Sequence, residues 1–146
     1  MTAATADAPV AASRLPQPSY AAVEVSFAPD AVWAGRSRRI TNAFLRWLKV
    51  SAPLAEVIVL CVSELVTNGV THGEGDVSLR VRYRNNEVRV EVVDGNPKPA
   101  TMRLADDDDP SGRGLPLVNV LSRKWGVSED GKTTWCTFRI PTQGRP

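Results

Sequence analysis

Apolar and polar residues alternate over residues 23–27, the two-residue period of a strand with one covered face. Pro29 and Asp30 then offer a helix start, with Asp30 as N-cap. Ile40, Phe44, Trp47 and Leu48 recur at three- and four-residue spacing while Arg36, Arg39 and Arg46 take other faces, which predicts a helix packed on one side. Ser51 and Pro53 open a second helix, whose stripe of Leu54, Ile58, Cys61 and Leu65 ends near Gly73 and Gly75. At roughly 100° per residue, Glu64 and Asn68 lie side by side at the margin of that stripe.

Two alternating runs follow, Val77-Leu79-Val81-Tyr83 and Val88-Val90-Val92, separated by Asn85-Asn86, a pair able to take the positive backbone angles of a tight hairpin turn. Pairing Arg84 with Glu87 sets Tyr83 opposite Val88, Val81 opposite Val90 and Leu79 opposite Val92, with Arg80 meeting Glu91 on the other face. The same register opposes Arg82 to Arg89, which requires a wet face where neighbouring glutamates screen the repulsion. Asp94 shares the parity of Val88, Val90 and Val92, so the strand ends by aiming a carboxylate inward. Burying it without a donor would cost several kcal/mol, so it must meet an amide, water or ligand.

Residues 95–114 hold glycines, prolines and the acidic run Asp106 to Asp109 without periodicity, the signature of a functional or disordered loop. Leu115, Leu117, Val118 and Leu121 give a short helix directly after Gly112-Arg113-Gly114. Residues 125–128 and 132–140 read as strands joined through Glu129-Asp130-Gly131. The composition of residues 1–20 and 142–146 is that of disordered tails, leaving residues 21–141 as one domain.

Composition narrows the function classes. The 146 residues carry 18 basic and 16 acidic side chains, too even a balance for a dedicated polyanion binder. No secretory signal opens the chain, and no run of about eighteen apolar residues predicts a membrane span. A cytoplasmic protein is expected. Cys61 and Cys136 fall within a predicted helix and strand, where small buried thiols are the expectation rather than a disulfide or metal site.

The candidate chemistry lies in three places. Gly112-Arg113-Gly114 before a helix forms a phosphate cradle in principle, since free N–H groups and the helix dipole favour an anion; taken alone it reads first as a plain loop-to-helix junction. Glu64 and Asn68 suit a hard cation and a proton acceptor, Asn68 offering an amide oxygen to Mg²⁺ and Glu64 working as general base; taken alone they are ordinary polar residues on a helix edge. Asp94 is the third. His72, the only histidine, fits a helix C-terminal cap better than a catalyst. Arg80, Arg82, Arg84 and Arg89 with interleaved glutamates read as a solvated sheet face rather than a nucleic-acid platform.

Glu64-Leu65-Val66-Thr67-Asn68, Asp94-Gly95, Gly112-Arg113-Gly114-Leu115 and Gly131-Lys132-Thr133 stand in one order over about residues 23–140, and together they resemble the ATP-binding anti-sigma factor and serine-kinase branch of the GHKL superfamily. The resemblance implies an α+β two-layer sandwich, a mixed, mainly antiparallel sheet with three helices on one face. It implies ATP and Mg²⁺ as cofactors, Glu64 as catalytic base, Asn68 as the magnesium ligand and Asp94, followed by Gly95, as the reader of the adenine amino group. The glycine-rich turn would belong to a lid over the phosphates, a role falling on Gly112, Arg113, Gly114 and the adjoining Leu115, with Thr133 a further candidate beside the base. Pro97 stands where larger relatives carry a second glycine, and Gly69 where the family commonly has alanine, at a cost of about 1 kcal/mol of helix stability. The implied activity is phosphorylation of a serine or threonine of an anti-anti-sigma (STAS-like) protein, with a sigma factor as second partner, no direct contact with nucleic acid or membrane, and a homodimer as an allowed assembly. The alternative is a non-catalytic module in which ATP orders a protein-binding surface.

Overall fold

The computed structural model describes residues 18–95 and 114–141, with Gly114 and Leu115 described by backbone only. The elements run β1 (Tyr20–Phe27), α1 (Val32–Trp47), α2 (Ala52–His72), β2 (Val77–Arg84), β3 (Glu87–Val93), α3 (Gly114–Leu121), β4 (Lys124–Val127) and β5 (Thr133–Arg139). The five strands form one sheet in the order β1-β2-β3-β5-β4. Every ladder among them is antiparallel, so the parallel component of the expected mixed sheet is absent from the described residues.

The central hairpin pairs in the register that side-chain alternation demands: Tyr83 with Val88, Val81 with Val90, Leu79 with Val92, and Arg84 with Glu87. Asn85 and Asn86 take φ of 51° and 60°, the geometry of a tight turn that matches strand twist. Val77, Leu79, Val81, Tyr83, Val88, Val90 and Val92 are buried on the inner face, which β1 extends through Val23 and Val25 and β5 through Cys136 and Phe138. β1 begins three residues earlier than its alternation suggests, because ladder pairing with β2 continues to Tyr20 opposite Arg84.

The helices cover that inner face. α2 is the core helix, burying Ala55, Ile58, Cys61, Val62, Leu65, Val66 and Gly69. Although polar residues interrupt its apolar run, an 18-residue window of this 21-residue helix reaches a mean hydropathy of 1.6, long and apolar enough on paper to cross a membrane. The apolar excess has an internal cause, since α2 touches α1, α3, β2 and β3 and must be apolar on several sides. Cys61 on α2 and Cys136 on β5 are both free and buried. A hydrogen bond with Cys61, then burial, pushes the Cys136 thiol far up, so it stays protonated and behaves as a small apolar group.

α1 presents a different face from the one its large residues suggest. Ser37, Thr41, Leu45 and Leu48 are the buried positions, whereas Ile40 and Phe44 are half-buried and Trp47 is 62% exposed. Small hydroxyl side chains let α1 lie close to α2, and the Arg38 guanidinium donates across that seam to Ser63 Oγ at 2.8 Å. The Ser37 and Thr41 hydroxyls have no hydrogen-bond partner among the described residues. Asp30 does cap the helix: its carboxylate accepts from the Val32 N–H at 2.9 Å.

The β4–β5 turn is closed by polar groups. Ser128 Oγ and the Lys132 N–H both donate to Asp130 Oδ1, at 2.6 and 3.0 Å, and the Thr133 N–H donates to Ser128 Oγ at 3.1 Å. These donors, the Ser128 hydroxyl first, hold the Asp130 carboxyl below the usual aspartate value. A depressed folded-state pKa means that the contribution of Asp130 to stability is complete above its unfolded value of about 3.9 and is lost as pH falls through the folded value. An NMR titration should therefore find the Asp130 midpoint below the ordinary range in the native protein and restored toward it in Ser128→Ala. A midpoint at or above the ordinary range would contradict the turn geometry.

Candidate functional site

Of the sequence-predicted residues, Glu64 and Asn68 lie on α2, and Asp94 lies against Gly73 at the end of that helix. Glu64 and Asn68 sit one turn apart, both half-buried, at the edge of the packed face formed by Leu65, Val66 and Gly69. The next turn of the helix carries the closest approach. A Cβ added at Gly69 would stand 3.2 Å from Val92 Cγ1 and 3.3 Å from Val77 Cγ1, tighter than most such contacts. A Cβ added at Gly73 would collide with the Gly69 carbonyl oxygen and would also stand 2.7 Å from Asp94 Cβ and 2.8 Å from Asp94 Cγ, closer than side chains tolerate. The aspartate is thus seated directly against the end of the helix that bears Glu64 and Asn68, as strand parity requires.

Gly69 and Gly73 are four residues apart and therefore lie along one line of the helix. Sequence reading took Gly69 for a weak point and Gly73 for a helix end; together they are what allows the closure. The i, i+4 glycine spacing on a stripe facing two valine-rich strands was the available signal. Gly69 offers little space for alanine, because Val77 and Val92 are buried and held by their ladders.

The chain leaving β3 is fixed by its backbone. The Asp94 N–H donates to the Lys132 carbonyl at 2.9 Å and the Gly95 N–H to the Glu74 carbonyl at 2.8 Å. Asp94 and Gly95 are thereby clamped between the β4–β5 turn and the segment after α2. Thr133 requires a correction. It pairs with Val93, whose side chain is on the outer face, whereas Thr134 pairs with Val92 on the inner face. The alternation of β5 therefore puts Thr134, not Thr133, on the side of Asp94.

Gly112 and Arg113 lie outside the described residues, as do Asn96, Pro97 and Asp106 to Asp109, and of Gly114 and Leu115 only the backbone is described. α3 begins at Gly114 and packs on α2. Val118 is buried at this contact, and Asn119 accepts from Trp125 Nε1 at 3.0 Å, fixing α3 to β4. His72 is exposed on the last turn of α2, next to Gly73.

The donor set suits a nucleotide–magnesium pair. Asn68 and Glu64 offer hard oxygen donors, and no group of three or more acidic, histidine or cysteine side chains is gathered as a metal cage among the described residues. Mg²⁺ needs few protein oxygens, since it takes its remaining ligands from phosphate and water. The half-buried carboxylate of Asp94, in a notch that exists because Gly73 lacks a side chain, fits an acceptor for an exocyclic amine.

Comparison with known proteins bears on the fold and the family. No curated protein matches the chain. Among solved structures, the RsbU and RsbW domains of Rv1364c from Mycobacterium tuberculosis are similar in fold, with a TM-score of 0.65 at 19% identity. That match covers 90% of this chain and 35% of the other, so the chain spans about a third of the length of the structure it resembles. The family described as the histidine kinase-like ATPase domain matches residues 27–139, from the end of β1 to the end of β5. With residues 27–139, well over half of its length, matched, the chain belongs to the histidine kinase-like ATPase domain family.

Proposed function

We propose that the chain is an ATP-binding regulatory protein kinase that phosphorylates a serine or threonine of an anti-anti-sigma-type partner in the cytoplasm and binds a sigma factor as its second partner. The observation that carries this reading is the seating of Asp94 against Gly73, at the end of the helix that holds Glu64 and Asn68. The likeness in fold to the RsbU and RsbW domains of Rv1364c supports this reading.

When bound, ATP with Mg²⁺ supplies the transferable γ-phosphoryl group. Asp94 accepts a hydrogen bond from the adenine amino group, and Gly95 continues the same backbone clamp. Asn68 holds the magnesium ion through its amide oxygen. Glu64 accepts the proton of the incoming hydroxyl, which raises that oxygen's nucleophilicity as it is positioned for transfer. By motif position Arg113, with Gly112, Gly114 and Leu115, would meet the phosphates, since a positive charge and a helix N-terminus both favour an anion.

Two measurements test this assignment. With labelled ATP and a serine-bearing partner, Glu64→Gln should transfer label at least about a hundredfold more slowly, within the range for a lost general base, while still binding nucleotide. Label left on ATP with every partner would instead mark a module that only binds. In calorimetry with Mg²⁺ and ATP, Asp94→Asn should weaken binding about ten- to a hundredfold, since a hydrogen bond to a charged group is worth about 1.5–3 kcal/mol. Gly73→Ala should weaken it too, by pushing the carboxylate out of its notch. Unchanged affinity in both variants would refute the adenine assignment.

A further inference from the structure

The opposite end of the sheet has its own construction. Asp94 follows the last residue of β3, whereas the Asn85-Asn86 turn precedes the first, about 24 Å away at the usual strand rise. Two adjoining hollows lie at this turn and share Arg84 and Glu87. The larger, about 360 Å³, is lined by Arg84, Asn85, Glu87, Arg123 and Arg139. The smaller, about 170 Å³, adds Tyr20, Arg82 and Arg89 to the shared pair.

Positive charge here is incompletely answered. Glu91 Oε2 is already shared between Arg82 at 3.1 Å and Arg89 at 2.9 Å. Glu87 reaches Arg123 only at 3.8 Å, too long for a hydrogen bond. Arg84 and Arg139 form no ion pair among the described residues. In a chain with 18 basic and 16 acidic side chains, five arginines around two glutamates are a local concentration rather than a reflection of overall charge.

The frame beneath these side chains is held firmly. The Ile140 N–H donates to the Asn86 carbonyl at 2.8 Å, the Tyr83 hydroxyl donates to Asn86 Oδ1 at 3.0 Å, and the Arg123 N–H donates to the Thr137 carbonyl at 2.7 Å. The turn, the start of β4 and the end of β5 are thereby locked together, so the arginines project from fixed points. A preorganised set of cations loses less on binding than a floppy one.

We propose that this hollow docks an acidic peptide segment of a partner protein, with carboxylates of separate residues taken by Arg84 and Arg139. Arg84 and Arg139 stand on strands two places apart, about 10 Å by the usual strand spacing, which suits charges on different residues better than the oxygens of one phosphate. Tyr20, 49% exposed at the mouth of the smaller hollow, provides an aromatic surface for the apolar part of such a segment. A single-stranded nucleic acid fits less well, because it needs open stacking faces, and Trp135 on the outer face is already covered by the Arg89 guanidinium at 4.3 Å. The site is remote from Asp94, so peptide and nucleotide can be held together.

The test uses the full chain and a fluorescein-labelled hexaglutamate peptide, read by anisotropy at low salt, with a hexaglutamine peptide, tripolyphosphate and a single-stranded oligonucleotide as competitors at matched concentration. The glutamate peptide should bind, the glutamine peptide should not compete, and Arg84→Glu with Arg139→Glu should weaken binding on the order of tenfold or more, as opposed charges become like charges. Arg84→Lys with Arg139→Lys should retain most of the affinity. In the wild-type protein, amide NMR signals of Arg84, Asn85 and Arg139 should move on adding the peptide, while those of Gly73 and Asp94 stay in place; this readout needs no variant to fold. Absence of binding, shifts centred elsewhere, undiminished affinity in the glutamate variants, or stronger displacement by tripolyphosphate or the oligonucleotide would overturn the proposal.

Discussion

The close approach of the last turns of α2 to the ends of β2 and β3 is the constraint on which the rest of the structure depends. Gly69 meets Val77 and Val92, and Gly73 meets Asp94, at distances that leave little or no room for side chains. Each contact replaces a methyl group with the opposing strand. The helix gives up intrinsic stability for this, since glycine is about 1 kcal/mol poorer than alanine in a helix interior. What it gains is position: Asp94, at the end of β3, is set against the end of the helix that carries Glu64 and Asn68.

The two faces of the sheet divide the work. Inside, valines of the central hairpin lie under α2, and two buried free thiols serve as packing groups. Outside, the like-charged pair Arg82 and Arg89 is reconciled by one glutamate, Glu91, and Arg89 also covers Trp135. That arrangement leaves the outer face a charged surface of its own, richest in arginine at the hairpin turn, away from the helix-covered notch.

Much of this was legible in the sequence, for identifiable reasons. The hairpin register followed from side-chain parity, because a one-residue slip would have turned every valine outward, and Asn85-Asn86 fixed the turn. The inward aim of Asp94 followed from the same parity. The buried face of α1 was not legible, since hydrophobicity favours Phe44 and Trp47 while the contact with α2 is made through Ser37 and Thr41, whose small size matters more than their polarity. The face that Thr133 takes was not legible because a motif match carries no strand register; its pairing with Val93 is visible only once β5 is set beside β3. The membrane-like composition of α2 was masked by judging uninterrupted apolar runs rather than the mean over a helix.

The central claim, that the nucleotide sits in the notch where α2 meets Asp94, is tested most directly by hydrogen exchange with and without Mg²⁺ and ATP. Slowed exchange should appear at the amides of residues 64–73 and 93–95, with those of residues 84–87 unchanged. Protection confined to the hairpin end, or none under saturating nucleotide, would contradict it.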